Sequence, residues 1–364
     1  VHRAGYGQRV TSPEGLELDA VVPWLRERGL LGDGDVEASR LAGGLSNVTF
    51  LVRQGDTSLV IRRPPLGHVM PTAHDMGREF TVLGGMARGG FRAPQPLAFC
   101  DDESVNGARF LVMEYVAGRI LSSDAAAEGL TVADAGVLSG ELMDTLAELH
   151  AIDAAAVGLA DFGRPEGFLA RQVKRWRQQW ELSKTRDLPD VESLATWLDE
   201  RVAAIPARAP WSVVHGDYRL DNCIVDPVDP RVRAVLDWEM STLGDPLMDL
   251  ATILVYWSRP GDELRHEIRF AAFVTDREGF WDRQALVDRY AAVSGRDVEH
   301  LDVCVALSGF KLAVIMESIR KRTLAGQQLG ADSSLADGMA RATDALAQMG
   351  LLMADGEGIA ALSR

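Results

Sequence analysis

The residues best suited to chemistry lie in His215-Gly216-Asp217-Tyr218-Arg219-Leu220-Asp221-Asn222 and, further along, Val235-Leu236-Asp237-Trp238-Glu239. Phosphoryl transfer to a hydroxyl needs an acidic group to orient or deprotonate the nucleophile, and oxygen ligands to hold magnesium against a triphosphate. Asp217, Asn222 and Asp237 supply these groups. Asp217 and Asn222 are separated by four residues, the spacing at which a kinase-type catalytic loop sets its base ahead of a metal-binding amide. Asp237 follows an apolar run of strand character, where a second metal-binding carboxylate would emerge. One Asp near one Asn more often marks a turn, whereas the ordered set marks a site.

The neighbours have two readings each. His215 could shuttle a proton, but with a carboxylate already available as base it is better read as bonding the loop backbone and positioning Asp237. Arg219 could hold a phosphate or pair with a neighbouring acid. Tyr218 and Asp221 read as loop-shaping residues. Gly244-Asp245-Pro246 and Asp249 follow, and Asp249 opens the apolar helical stretch 250–257, where a carboxylate favours the positive helix end. Capping and loop anchoring are the expectation for it.

His-Gly-Asp-Tyr-Arg-Leu-Asp-Asn at 215–222, Leu-Asp-Trp-Glu-Met-Ser-Thr-Leu-Gly-Asp-Pro at 236–246 and Arg-Arg-Pro-Pro at 62–65 resemble the aminoglycoside phosphotransferase and choline kinase-like family. The resemblance is to the branch found fused to acyl-CoA dehydrogenases, and it covers about residues 41–326. It implies an α+β, protein-kinase-like fold of two lobes, a small β-rich N-lobe and a larger, mostly helical C-lobe. It also implies ATP and Mg2+ as cofactors, Asp217 as catalytic base, and Asn222 and Asp237 as metal ligands.

The N-lobe, residues 1–116, would then bind the nucleotide and end in the hinge, leaving 117–364 as the catalytic and acceptor-binding lobe. Gly43, Gly44, Ser46 and Asn47 lie between two strand candidates, so backbone amides and short side chains could approach phosphate there. Gly43-Gly44 alone is more often a hairpin turn. Arg62 stands where protein kinases place a phosphate-binding lysine, and Glu79 is its expected helical partner. Backbone groups of Glu114 and Val116 would read the adenine edge.

The elements that must position these groups are legible in outline. Short runs at 36–41, 48–53, 58–63 and 109–115 suit strands, and 73–87 suits a helix with an apolar row of Phe80, Leu83 and Met86. Beyond Ala117-Gly118, Leu138, Leu142, Leu146 and Leu149 recur at helical spacing, as do Val191, Leu194, Trp197 and Leu198. Runs at 213–214, 223–225 and 232–236 return to strand character around the chemical residues. Trp176 and Trp180 read as core. Lys311 interrupts an apolar helix and is followed by Glu317, Arg320, Lys321 and Arg322. That run reads as a solvated face, with a basic patch for an anionic acceptor as the alternative.

A chain of 364 residues exceeds the size of one hydrophobic core, so two lobes with a cleft are expected. The formal charge of 38 − 53 = −15 argues against nucleic acid as a partner. Cys100, Cys223 and Cys304 are odd in number and scattered, as in a reducing cytoplasm. Neither a leader peptide nor a membrane span is expected, and composition sets no oligomeric state. Nucleophile-elbow, zinc-protease and dinucleotide-binding motifs are absent from the sequence. The expected partner is a hydroxyl-bearing small molecule, either a hydroxyacyl compound or its CoA ester, or else an aminoglycoside or amino alcohol. A catalytically silent nucleotide-binding protein is the reading from another class.

Overall fold

The computed structural model describes residues 12–41, 47–65, 75–205, 211–326 and 333–363. The chain divides into two compact units, Val1–Ala117 and Gly118–Arg364. It is α+β, with an antiparallel sheet in the first unit and mainly helices in the second.

The first unit runs α1 (Leu18–Glu27), β1 (Glu37–Arg40), β2 (Val48–Gln54), β3 (Thr57–Arg63), α2 (Met76–Arg88), β4 (Pro96–Cys100), α3 (Glu103–Asn106) and β5 (Phe110–Glu114). Its strands pair antiparallel in the order β1-β2-β3-β5-β4. Period-two alternation sends Val48, Phe50, Val52, Leu59, Ile61, Phe110 and Val112 to one face, where they form a core with Trp24 and Leu25 of α1. Trp24 meets Phe110 edge-on at 5.0 Å. Neither α1, which carries Pro23 inside it, nor β4 follows from sequence pattern; β4 starts with proline and lies at the sheet edge, where a missing N–H is tolerated. Helix α2 begins at Met76, where Asp75 caps it by accepting from the amides of Gly77 and Arg78. Of the expected helix 73–87, positions 73 and 74 lie outside the described residues.

The same alternation separates two adjacent arginines. Arg63 turns to the α1 side and donates to the carbonyls of Gly15 and Asn106, at 2.8 and 2.9 Å. Arg62 points to the opposite face and meets Glu79 of α2.

The second unit contains β6 (Arg119–Ile120), α4 (Val132–His150), α5 (Phe168–Ser183), α6 (Pro189–Val202), β7 (Ser212–Val214), β8 (Cys223–Val225), β9 (Val232–Val235), β10 (Thr242–Gly244), α7 (Leu247–Tyr256), α8 (Glu263–His266), α9 (Arg283–Ser294), α10 (Leu301–Leu324) and α11 (Ser333–Ala354). Helix α10 is the spine, packed against α11, α7, α5 and α6. Trp176 and Trp180 are buried, so their spacing on α5 serves packing. Two small sheets, β10-β7 and β6-β8-β9, carry the segment 212–244 through the helices. Among the described residues no helix is long and apolar enough to cross a membrane.

Candidate active site

The small sheets bring the chemical residues together. Cys223 pairs with Val235, and the Leu236 amide donates to the Asn222 carbonyl at 2.7 Å. Asn222 and Asp237 therefore leave the same end of the β8–β9 hairpin. The Asn222 Nδ2 donates to the Asp217 backbone carbonyl at 2.8 Å and to its Oδ2 at 2.9 Å. With its nitrogen so engaged, the Asn222 amide has its oxygen left for a cation. Asp237 adopts φ 67° and ψ 64°, and among the described residues no other non-glycine has positive φ. Such a conformation costs on the order of 1–3 kcal/mol and concentrates at functional sites.

Asp249 anchors the loop. Fully buried in the first turn of α7, its carboxylate accepts from the backbone amides of His215 at 2.6 Å and Gly216 at 2.7 Å. The expected helix cap is not its role, because both oxygens are spent on the loop and on His150. His215 is a latch: its Nε2 donates to the Leu236 carbonyl at 2.8 Å while Nδ1 accepts from the Asp217 amide at 3.2 Å. One imidazole thus ties the loop carrying Asp217 to the strand end carrying Asp237, and Trp238 packs against its ring at 4.9 Å. Tyr218 donates to the Leu142 carbonyl at 2.7 Å, holding the loop to α4.

Gly216 has φ +83°, and a Cβ there would lie 2.5 Å from the Met240 carbonyl oxygen. Gly216→Ala is therefore expected to cost more than about 1 kcal/mol in urea denaturation; wild-type stability would contradict the assigned backbone.

His150 lies under the anchor, its Nε2 3.2 Å from Asp249 and its Nδ1 2.8 Å from the Tyr290 hydroxyl. Burial lowers the His150 pKa, and Asp249 offsets this only in part. Asp249 is itself held below the usual carboxylate range: burial pushes it up, but the bonds from His150 and Gly216 outweigh that. The arrangement is a neutral imidazole donating to a carboxylate. Below about pH 6.5 an unfolded His150 takes up a proton that the folded one refuses, so stability is full above that pH and declines below it. His300 has the opposite sign, its pKa raised by its bond to Asp245. The urea midpoint of the wild type should fall more between about pH 7.5 and about pH 5.5 than that of His150→Gln, and parallel curves would refute the assignment.

Arg219 pairs with both Asp221 at 2.9 Å and Asp217 Oδ2 at 3.4 Å, and lies over the Tyr256 ring at 4.8 Å. Burial disfavours its charge, yet Asp217, Tyr256 and Asp221 together raise its pKa. Burial also raises Asp221, against the pull of Arg219 and Arg265.

Lys311 departs from the solvated-face reading. From α10 its Nζ donates to the Gly216 carbonyl at 2.7 Å, directly beside Asp217. Of the rest of that charge run, Glu317 is buried and accepts from Thr185 and Arg320, Lys321 donates to the Leu182 carbonyl, and Arg322 is exposed. Tertiary packing also gathers Asp245, His300 and Cys304, their ligand atoms within 4.8 Å of one another, with His300 bonded to Asp245 at 2.7 Å. Distances of tens of residues in sequence hide both groupings.

In the first unit, Arg62 and Glu79 form a buried pair at 2.5 Å. Asn47 is buried at the start of β2. The Glu114 amide donates to the Gln95 carbonyl at 2.9 Å, so of the Glu114 backbone groups expected to read adenine the amide is engaged within the sheet. Gly43, Gly44 and Ser46 lie outside the described residues.

A clamped loop with a carboxylate, an amide and a second carboxylate at one hairpin end, in a chain with an antiparallel sheet followed by helices, defines a phosphotransferase. The model of the phosphotransferase enzyme family matches residues 37–285, and the chain belongs to that family of small-molecule kinases. It is 35% identical over 310 residues to acyl-CoA dehydrogenase family member 11 of Rattus norvegicus, covering 85% of this chain and 39% of that one. The chain thus spans about two fifths of the length of that relative. The crystal structure of a Ralstonia eutropha protein assigned to the aminoglycoside phosphotransferases superposes with a TM-score of 0.77 at 32% identity, covering 94% of this chain and 99% of the other. Choline kinase from Cryptosporidium parvum shares the fold at a TM-score of 0.62 and 13% identity, covering 94% and 98%.

Proposed function

We propose that the protein transfers the γ-phosphoryl group of ATP to a hydroxyl of a small molecule, and that this acceptor is a hydroxyacyl compound or its CoA ester. The observation that carries the transfer reading is the Asn222 amide held on Asp217 by a loop that Asp249, His215 and Lys311 all immobilise. Positioning is most of what an enzyme contributes to this reaction.

Asp217 takes the proton as the acceptor oxygen bonds to the γ-phosphorus, and the bond to the bridging oxygen breaks to release ADP. The Asp237 carboxylate and the Asn222 amide oxygen are hard-oxygen donors that fit magnesium and would be its ligands. Magnesium, when bound, neutralises charge on the phosphates. In the first unit Arg62, oriented by Glu79, holds phosphate oxygens, with Gly43, Gly44, Ser46 and Asn47 as further phosphate contacts. The Glu114 carbonyl and Val116 amide match the donor and acceptor of the adenine edge.

The fusion of similar chains to acyl-CoA dehydrogenases supports the hydroxyacyl acceptor. Three buried cysteines, none in a disulfide, support a reducing compartment such as the cytoplasm. The test is a screen of hydroxyacyl-CoA esters, hydroxy acids, aminoglycosides and amino alcohols, scored for ADP formed and phosphorylated product. Magnesium-dependent ATP binding with no product from any acceptor would instead favour a silent nucleotide-binding protein.

A further inference from the structure

Of the cations bonded to the catalytic loop, Arg219 is matched by two carboxylates and Lys311 by none. Lys311 is half-buried, donates to the Gly216 carbonyl at 2.7 Å, and has no carboxylate at ion-pair distance among the described residues. Helix α5 packs against α10 and brings a second cation, Arg175, which is exposed and lies over the ring of its neighbour Trp176 at 5.6 Å. No carboxylate pairs with Arg175 among the described residues either. Lys311 beside the proposed base and Arg175 on the adjoining helix thus offer an anionic group two cations that no side-chain ion pair occupies among the described residues, in a chain of net charge −15.

We infer that Lys311 and Arg175 form the acceptor-recognition site and select an acceptor bearing an anionic oxygen group, an inference that rests on the phosphotransfer reading above. Burial lowers the Lys311 pKa, Asp217 and Asp249 oppose this, and Arg175 reinforces it. A bound anion relieves the repulsion between the two cations and favours the charged amine. A polycationic aminoglycoside sets like charge against like and is rejected. The anionic oxygens can be the carboxylate of a hydroxy acid or the phosphates of a CoA thioester, since a guanidinium and an ammonium recognise both.

The experiment measures transfer by the full chain, at saturating ATP and magnesium, to one acyl chain in three forms: the hydroxy acid, its CoA thioester and its uncharged N-acetylcysteamine thioester. An amino alcohol is the fourth acceptor. An anionic form should exceed the uncharged thioester in kcat/KM by about tenfold, the scale of one charge-assisted hydrogen bond. Which of the two anionic forms leads identifies the source of the anion. Arg175→Ala should raise KM for that anionic acceptor, leave KM for ATP unchanged, and abolish the preference over the uncharged thioester; Lys311→Met should abolish the same preference and, because Lys311 also holds the loop, lower kcat with every acceptor, while Lys311→Arg should retain the preference. Arg175 is a surface residue, so its variant keeps the test valid even if Lys311→Met misfolds.

Equal use of the uncharged thioester or the amino alcohol would overturn the inference while leaving phosphotransfer intact. So would variants that slow all acceptors alike, the signature of a residue that merely holds the loop. Absence of product from every acceptor overturns the phosphotransfer reading, and this inference with it.

Discussion

Asp217→Asn is expected to lower turnover by roughly 10²–10⁴-fold, the contribution of a positioned general base. The substitution keeps the shape of the side chain and its proximity to Asn222, but an amide cannot accept the hydroxyl proton. It also removes the negative charge that Arg219 and Lys311 face. ATP affinity should change little, because the proposed nucleotide contacts lie in the first unit, at Arg62, Glu79, Glu114 and Val116. Steady-state turnover paired with nucleotide binding by calorimetry checks both halves. Near-normal turnover would remove Asp217 from the base role.

Asp249→Asn should be the most damaging change to stability, at about 3–5 kcal/mol in urea denaturation, the range for breaking a buried charged network from one side. The wild-type carboxylate accepts three donors: two backbone amides of the catalytic loop and the His150 ring. An asparagine can offer one oxygen, and its NH2 group then faces an N–H with no acceptor between them. Loss of activity should accompany loss of stability, because the His215–Gly216 peptide no longer has a fixed position. A variant within about 1 kcal/mol of wild type would mean that the loop is held chiefly by Lys311, His215 and Tyr218.

The strands 48–53 and 58–63 were legible because they are short, largely apolar runs bounded by Gly43-Gly44, Gln54-Gly55-Asp56 and Pro64-Pro65. The chemical triad was legible because its types and order match what phosphoryl transfer demands. Lys311 was not: in sequence it belongs to a helix ending in a charge run, and its contact with Gly216 spans 95 positions. Asp249 illustrates a middle case. Its place at a helix start invited capping and loop anchoring, and the second is what the structure shows: the carboxylate spends all its bonds on groups 33, 34 and 99 residues distant.

Residue chemistry and local spacing by themselves determined the reaction class, because Asp217, Asn222 and Asp237 have to be carboxylate, amide and carboxylate in that order whatever surrounds them. Helical and strand periods likewise determined the two kinds of unit, since burial repeats every 3.6 or 2 residues. The tertiary structure alone decided that Arg63 turns to the opposite face from Arg62, that His150 lies under Asp249, and which cation stands beside Asp217. Those assignments depend on the side of a strand and the turn of a helix that long-range packing brings face to face. Local periodicity carries the repeat of a pattern but not the identity of its distant partner.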